Sequence, residues 1–129
     1  MIQKAIDAKQ YSYAPYSNLR VGAALLTDDG ELYCGVNVEN ASFGASNCAE
    51  RTAIYKAISE GKKKFSAIAI ASDLDAPILP CGICRQVFAE FTGDDFKVIC
   101  CGKNGDIQQY TMKELLPQAF KKFKNYKKD

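Results

Sequence analysis

The stretch FKVICCGKNGDIQQYTM, residues 96–112, contains two runs with strand character separated by only the five residues GKNGD. Parallel strands need a crossover of about a dozen residues or more, whereas antiparallel strands can join through a tight turn. The two runs are therefore predicted to be the antiparallel closing pair of a sheet. Upstream, FSAIAIAS (65–72) is a short, nearly continuous apolar run of the kind buried on both faces. Between them lie the proline-bearing loop DLDAPILP (73–80) and CGICRQVFAEF (81–91), which reads as a helix ending near Gly93. Further back, LRVGAALLT (19–27) and ELYCGVNV (31–38) flank DDG, a strong hairpin signal.

The remaining segments alternate with these. Residues 2–12 read as a short helix that must stop before Pro15, because the residue preceding a proline is pushed away from helical geometry. After the loop ENASFGASN (39–47) a helix is predicted from about Cys48 to Glu60, stopped by Gly61. MKELLPQAF (112–120) adds a short terminal helix carrying Leu115, Leu116 and Phe120. The order is helix, two strands, helix, strand, helix, two strands. It predicts an α/β fold: a three-layer α-β-α sandwich around a mixed sheet of about five strands, the last two antiparallel. With 129 residues and no repeat or linker, one domain over 1–129 is expected.

Composition removes several functions. Hydrophobic residues at 47% and charged ones at 25% are ordinary for a globular protein. A net charge of +2, much of it owed to the tail KKFKNYKKD (121–129), leaves a near-neutral body and argues against nucleic acid as a partner. The tail reads as a solvated end. No apolar run approaches the roughly 20 residues of a membrane span, and the N-terminus lacks the apolar core of a signal peptide. Six cysteines without an export signal point to the cytoplasm, where cysteine is more often a metal ligand or a small buried hydrophobe than half of a disulfide. There is no histidine, so histidine-dependent triads, histidine general bases and HExxH zinc sites cannot be built. Acid/base chemistry near neutral pH falls to a carboxylate, a cysteine, a lysine or water on a metal.

Cys81 and Cys84 form a C-x-x-C just after Pro80, and SNCAERTAIYKA (46–57) puts Cys48 at the other helix start, two places ahead of Glu50. Unsatisfied N–H groups and the positive end of the dipole favour thiolates at both starts. Helix starts converge at the carboxyl ends of parallel strands in open α/β sheets. Three thiolates would then hold zinc and leave its fourth position for water, as in a catalytic site. Residues 48 and 50 would lie about 200° apart on a full helix, so Cys48 must sit at the extreme tip for both side chains to share a pocket. Taken singly, the C-x-x-C also suits a redox pair or half of a structural zinc site, and Glu50 also suits a first-turn glutamate that complements the helix dipole. Cys34, Cys100 and Cys101 read as small buried hydrophobes in strands, although Cys34 as a fourth thiolate would make a closed, non-enzymatic zinc module.

C-A-E followed by P-C-G-I-C on successive helices matches the zinc deaminase signature. The blocks APYSNLRVGAALL, NVENASF, NCAERTA, PCGICRQV and ELLPQAF, in that order from Tyr13 to Phe120, resemble the small, homotetrameric, three-cysteine cytidine deaminases. The resemblance implies one zinc per subunit on Cys48, Cys81 and Cys84. It implies hydrolytic deamination of free cytidine and 2′-deoxycytidine in pyrimidine salvage, with zinc-bound hydroxide attacking C4 and Glu50 as proton shuttle. It also implies ribose contacts from Asn37 and Glu39, base contacts from the backbone of Ala49 and Leu79, and support for the sulfurs from Arg51 and Gln86. Ala41, Phe43 and Phe120 would close a neighbouring subunit's pocket in the tetramer. The arginine makes chemical sense, because three thiolates on Zn²⁺ sum to −1 and a guanidinium donating to sulfur draws that charge away. Leu19 departs from the family pattern, which has phenylalanine there. A related deaminase of an aminoacylated nucleoside antibiotic is the nearest enzymatic alternative. Polynucleotide deaminases are disfavoured, since an embedded sugar offers Glu39 no free 3′-hydroxyl and the closing strands of those enzymes are parallel.

Overall fold

In a computed structural model that describes residues 1–121, the closing pair runs antiparallel. Strand β4 (Lys97–Cys101) pairs with β5 (Ile107–Thr111) from Lys97 opposite Thr111 to Cys101 opposite Ile107. The hairpin β1 (Val21–Thr27) and β2 (Leu32–Val36) forms as the sequence requires, and β3 (Phe65–Ser72) is antiparallel to β1 and parallel to β4. The sheet order is β2-β1-β3-β4-β5. The nearly continuous apolar strand is thus central, with seven of its eight residues buried.

Alternation along the strands divides the core in two. Val21, Ala23 and Leu25 of β1, Ile68 and Ile70 of β3, and Val98 and Cys100 of β4 meet α2 (Ala49–Ser59) and α3 (Gly82–Phe91). The opposite face is built of small residues: Ala24, Ala69, Ala71 and Cys101, packed with Ala5 of α1 (Ile2–Ala8). Helices therefore cover both faces, giving the expected three layers. Among the described residues no helix is long and apolar enough to cross a membrane.

The boundaries differ from the sequence reading in three places, each with a local cause. The first helix is α-helical only to Ala8 and tightens into a 3₁₀ turn over Lys9–Tyr11 before the chain extends at Ser12. Strand β2 ends at Val36 because the Asn37 carboxamide takes over the end of the hairpin: its Oδ1 accepts from the Val21 N–H at 2.9 Å and its Nδ2 donates to the Leu19 carbonyl at 2.8 Å. The last helix, α4, spans only Met112–Leu115 ahead of Pro117, opened by a capping box between Thr111 and Glu114.

Close approach of helix to sheet rests on two glycines. A Cβ on Gly22 would collide with the Ala5 carbonyl of α1, and one on Gly35 with the backbone of Ala49 and Ala53 in α2. Because the obstacle at Gly22 is backbone, Gly22→Ala is expected to lower stability by about 1–3 kcal/mol, read from thermal or urea unfolding. Asp73, just beyond β3, receives Arg20 Nε at 2.8 Å and Lys9 Nζ at 3.2 Å, and these partners hold its carboxyl down to about 2. A carboxylate whose folded pKa is depressed contributes stability above its unfolded pKa near 4 and loses it as pH falls toward the folded value. Asp73→Asn is therefore expected to flatten the stability profile between about pH 4 and pH 2, measured by urea melts across that window.

Candidate active site

The N-termini of α2 and α3 meet. Cys48 and Cys81 are their N-cap residues, both with extended backbone, φ −75° and ψ 156° for Cys48 and φ −67° and ψ 168° for Cys81. Neither helix has a side-chain cap hydrogen bond, although an oxygen-bearing residue at such a position contributes about 1 kcal/mol. The sulfurs gather instead. Cys48 Sγ lies 3.7 Å from Cys81 Sγ, Cys81 Sγ lies 3.5 Å from Cys84 Sγ, and all three fall within 4.8 Å of one another. Tetrahedral zinc with Zn–S bonds of about 2.3 Å sets its sulfurs about 3.8 Å apart, so the residues present fit the ion. Cys48 stands outside the helical turns, which meets the condition for sharing a pocket with Glu50.

Cys48 and Cys84 are driven apart electrostatically beside a buried acid. The Cys48 thiol is drawn down to about 5 by hydrogen bonding from Cys84 and from Arg51, whose Nη2 donates to Cys48 Sγ at 3.3 Å, against the opposing effect of burial. The Cys84 thiol is correspondingly pushed up through its bond to Cys48 and by burial. Glu50 is 5% exposed. Burial pushes its carboxyl up to about 7; the Cys48 charge adds to the shift, while its own backbone N–H and Arg51 oppose it. Among the described residues the buried Arg51 Nε has no hydrogen-bond partner, which leaves a donor beside the sulfurs.

Cys48, Cys81, Glu50 and Arg51 line a cavity of about 500 Å³, within the range of small-molecule pockets. Asn37, Glu39, Phe43, Ala49 and Leu79 also line it, whereas Ala41 and Phe120 are exposed and lie outside that lining. Glu39 is already engaged with the loop before β1. Its Oε1 accepts from the Tyr16 and Ser17 N–H groups at 3.0 and 3.1 Å and its Oε2 from Ser17 Oγ, which holds the carboxyl below its usual range. The Gln86 side chain donates to the Phe120 carbonyl at 2.5 Å. Leu19 lines the cavity and packs against the core.

Sequence reasoning passed over Ser17, Ile78, Ile83 and Asn47, which all line the cavity. Ile83 lies within the C-x-x-C and Ile78 three residues ahead of it, and both could have been inferred from that adjacency alone. Cys100 and Cys101 are buried as expected, and burial with the nearby Glu50 charge pushes the Cys100 thiol up to about 12. Cys34 is only half-buried and packs on the α1 face of the sheet, opposite the three sulfurs. It is not placed to close the cluster as a fourth ligand.

Fold and cluster together define a zinc-binding hydrolytic site of the nucleobase deaminase kind. The family profile for the cytidine and deoxycytidylate deaminase zinc-binding region matches residues 1–103, and the chain belongs to this family as a zinc-binding cytidine deaminase. It is 52% identical over 120 residues to a cytidine deaminase of Halalkalibacterium halodurans, covering 93% of this chain and 91% of that one. The crystal structure of cytidine deaminase from Burkholderia pseudomallei superposes with a TM-score of 0.89 at 46% identity, covering 92% of this chain and 95% of the other. A blasticidin-S deaminase of Bacillus cereus is less similar, at 33% over 108 residues, with 78% and 76% of the two chains covered.

Serine replacements separate the open cluster from a closed four-thiolate one. Cys48→Ser, Cys81→Ser and Cys84→Ser are each expected to lower bound zinc below one per chain in atomic emission measurements. Cys34→Ser should retain the full complement.

Proposed function

We propose that this chain deaminates free cytidine and 2′-deoxycytidine by hydrolysis, releasing ammonia and the uridines, as one domain within a homotetramer that serves pyrimidine salvage. The observation that carries this reading is the buried Glu50 beside three clustered sulfurs in a cavity of nucleoside size. Cys48, Cys81 and Cys84 would hold zinc, which when bound supplies the Lewis acidity that makes water a competent nucleophile near neutral pH.

The chain's own residues do the rest. Glu50 accepts one proton of the attacking water and passes it to ring N3 as C4 becomes tetrahedral; it then takes the remaining proton of that oxygen and delivers it to the departing amine, so that ammonia leaves as the C4 carbonyl forms. A carboxyl held near 7 suits both directions of transfer, since the driving force is balanced near the working pH. Arg51 donates to Cys48 and tempers the negative charge of the sulfurs. Ala49, buried at the first turn of α2, and the Leu79 carbonyl offer backbone groups to the base edge. For the ribose, Asn37 keeps one Nδ2 hydrogen beyond its bond to Leu19, and Glu39 keeps acceptor capacity on Oε2 beyond its bond to Ser17. The family relationship supports a role for Phe43 and Phe120 in closing a neighbour's pocket with Ala41. Both rings are largely exposed, at 78% and 58%, and covering them would bury apolar surface.

Cytidine, deoxycytidine and cytosine compared in parallel by ultraviolet absorbance test the reaction and the need for ribose together. Turnover of both nucleosides and none of the free base is expected. Glu50→Gln should lower kcat by about 10²- to 10⁴-fold while leaving the zinc content intact. Zinc-loaded wild-type protein inactive on every cytosine nucleoside would sink the proposal.

A further inference from the structure

The three sulfurs are not held equally. Cys84 is fully buried in the core and Cys48 receives Arg51, but Cys81 is exposed. With its side chain exposed, Cys81 depends largely on its backbone to hold its sulfur 3.5 Å from that of Cys84, and so on the peptide that joins it to Pro80.

That peptide is gripped by Arg85. The Arg85 Nε donates to the Pro80 carbonyl at 2.8 Å, and Nη1 donates to the Leu115 carbonyl at 3.0 Å. Leu115 is the last residue of α4, where carbonyls lack an intrahelical partner. Pro80 is fully buried, and its carbonyl lies in one rigid plane with the Cys81 nitrogen, so a donor held on that carbonyl also orients the backbone from which the Cys81 side chain springs. A planar guanidinium reaches both carbonyls at once, through a side chain anchored one residue beyond Cys84. The ammonium of lysine is a point charge without that fixed fork.

We propose that Arg85 is a positioning residue for the metal centre: by fixing the Pro80 carbonyl it aims Cys81 at the other two sulfurs, and through the Leu115 carbonyl it ties that aim to α4. The proposal rests on the reading that Cys48, Cys81 and Cys84 hold zinc. Arg85 touches neither sulfur nor substrate, so its effect belongs in metal affinity before it belongs in turnover.

The test uses the full chain loaded with zinc and challenged with a zinc-chelating indicator. Arg85→Ala is expected to weaken zinc affinity by about 10- to 100-fold, the usual cost of losing a group that orients a ligand, and Arg85→Lys to recover part of it. The thiolate charge-transfer bands of the cobalt-substituted protein should shift in the same order. Thr111→Ala, which removes the capping box of α4 but leaves Arg85 on Pro80, should bind zinc as wild type does. Wild-type zinc affinity in folded Arg85→Ala would overturn the proposal, as would an equal loss in Thr111→Ala, since the effect would then come from loosening α4. Should Arg85→Ala fail to fold, Arg85→Lys decides, with unchanged affinity and unchanged cobalt bands counting against the proposal. A wild-type chain that takes up no zinc would instead remove the reading on which the proposal rests.

Discussion

The structure turns on the meeting of two helix N-termini. Each start offers N–H groups and the positive end of a dipole, and each is capped by cysteine where serine, threonine or aspartate would stabilise the helix better. The helices themselves are secured elsewhere. Ala53, Ile54 and Ala57 of α2 and Phe88 and Ala89 of α3 are buried against Leu25, Ile68, Ile70 and Val98 of the sheet, and Gly35 lets α2 lie almost on the backbone of β2. Packing supplies the stability, which leaves the first turns free to carry sulfur.

The same meeting explains the charge pattern. Thiols next to a carboxyl in an apolar wall would all resist ionisation if burial acted alone. Hydrogen bonds break the symmetry: Cys84 first and then Arg51 donate to Cys48, whose thiol is drawn down, while the Glu50 carboxyl two residues away remains raised. Neighbouring groups at one helix start are thus driven in opposite directions, the thiol toward its anion and the carboxyl toward its neutral acid. A chain without histidine obtains a group that titrates near neutrality in this way.

Much of the fold was legible because its signals were local. The five-residue turn at 102–106 fixed the orientation of the last two strands, the continuous apolar run 65–72 marked the central strand, and Gly61 stands at φ +90° after α2, as a helix stop requires. The convergence of Cys48 with Cys81 and Cys84 was legible from two helix starts and the general habit of α/β sheets. What escaped was long-range and polar. Asn37 and Glu39 were read as groups for a ribose, yet each also organises the segment before β1 through residues some 16 to 25 positions away. The bond from Gln86 to the Phe120 carbonyl, and those from its neighbour Arg85 to carbonyls on either side of it in the chain, have no counterpart in the sequence reading. Backbone carbonyls carry no sequence signature, so bonds to them cannot be anticipated from residue identity.

The sheet also acts as a partition for sulfur. The six cysteines fall into separate settings: Cys48, Cys81 and Cys84 gather at the helix starts, Cys100 is sealed in the core beneath them, and Cys34 and Cys101 lie on the far face against α1. An unfolded chain would offer a thiophilic ion many alternative sets of thiolates, most of them wrong. Folding leaves one set within reach of a single ion. The architecture therefore brings one set of ligands together, while the thin, alanine-lined side of the sheet keeps Cys34 and Cys101 out of it and the core encloses Cys100.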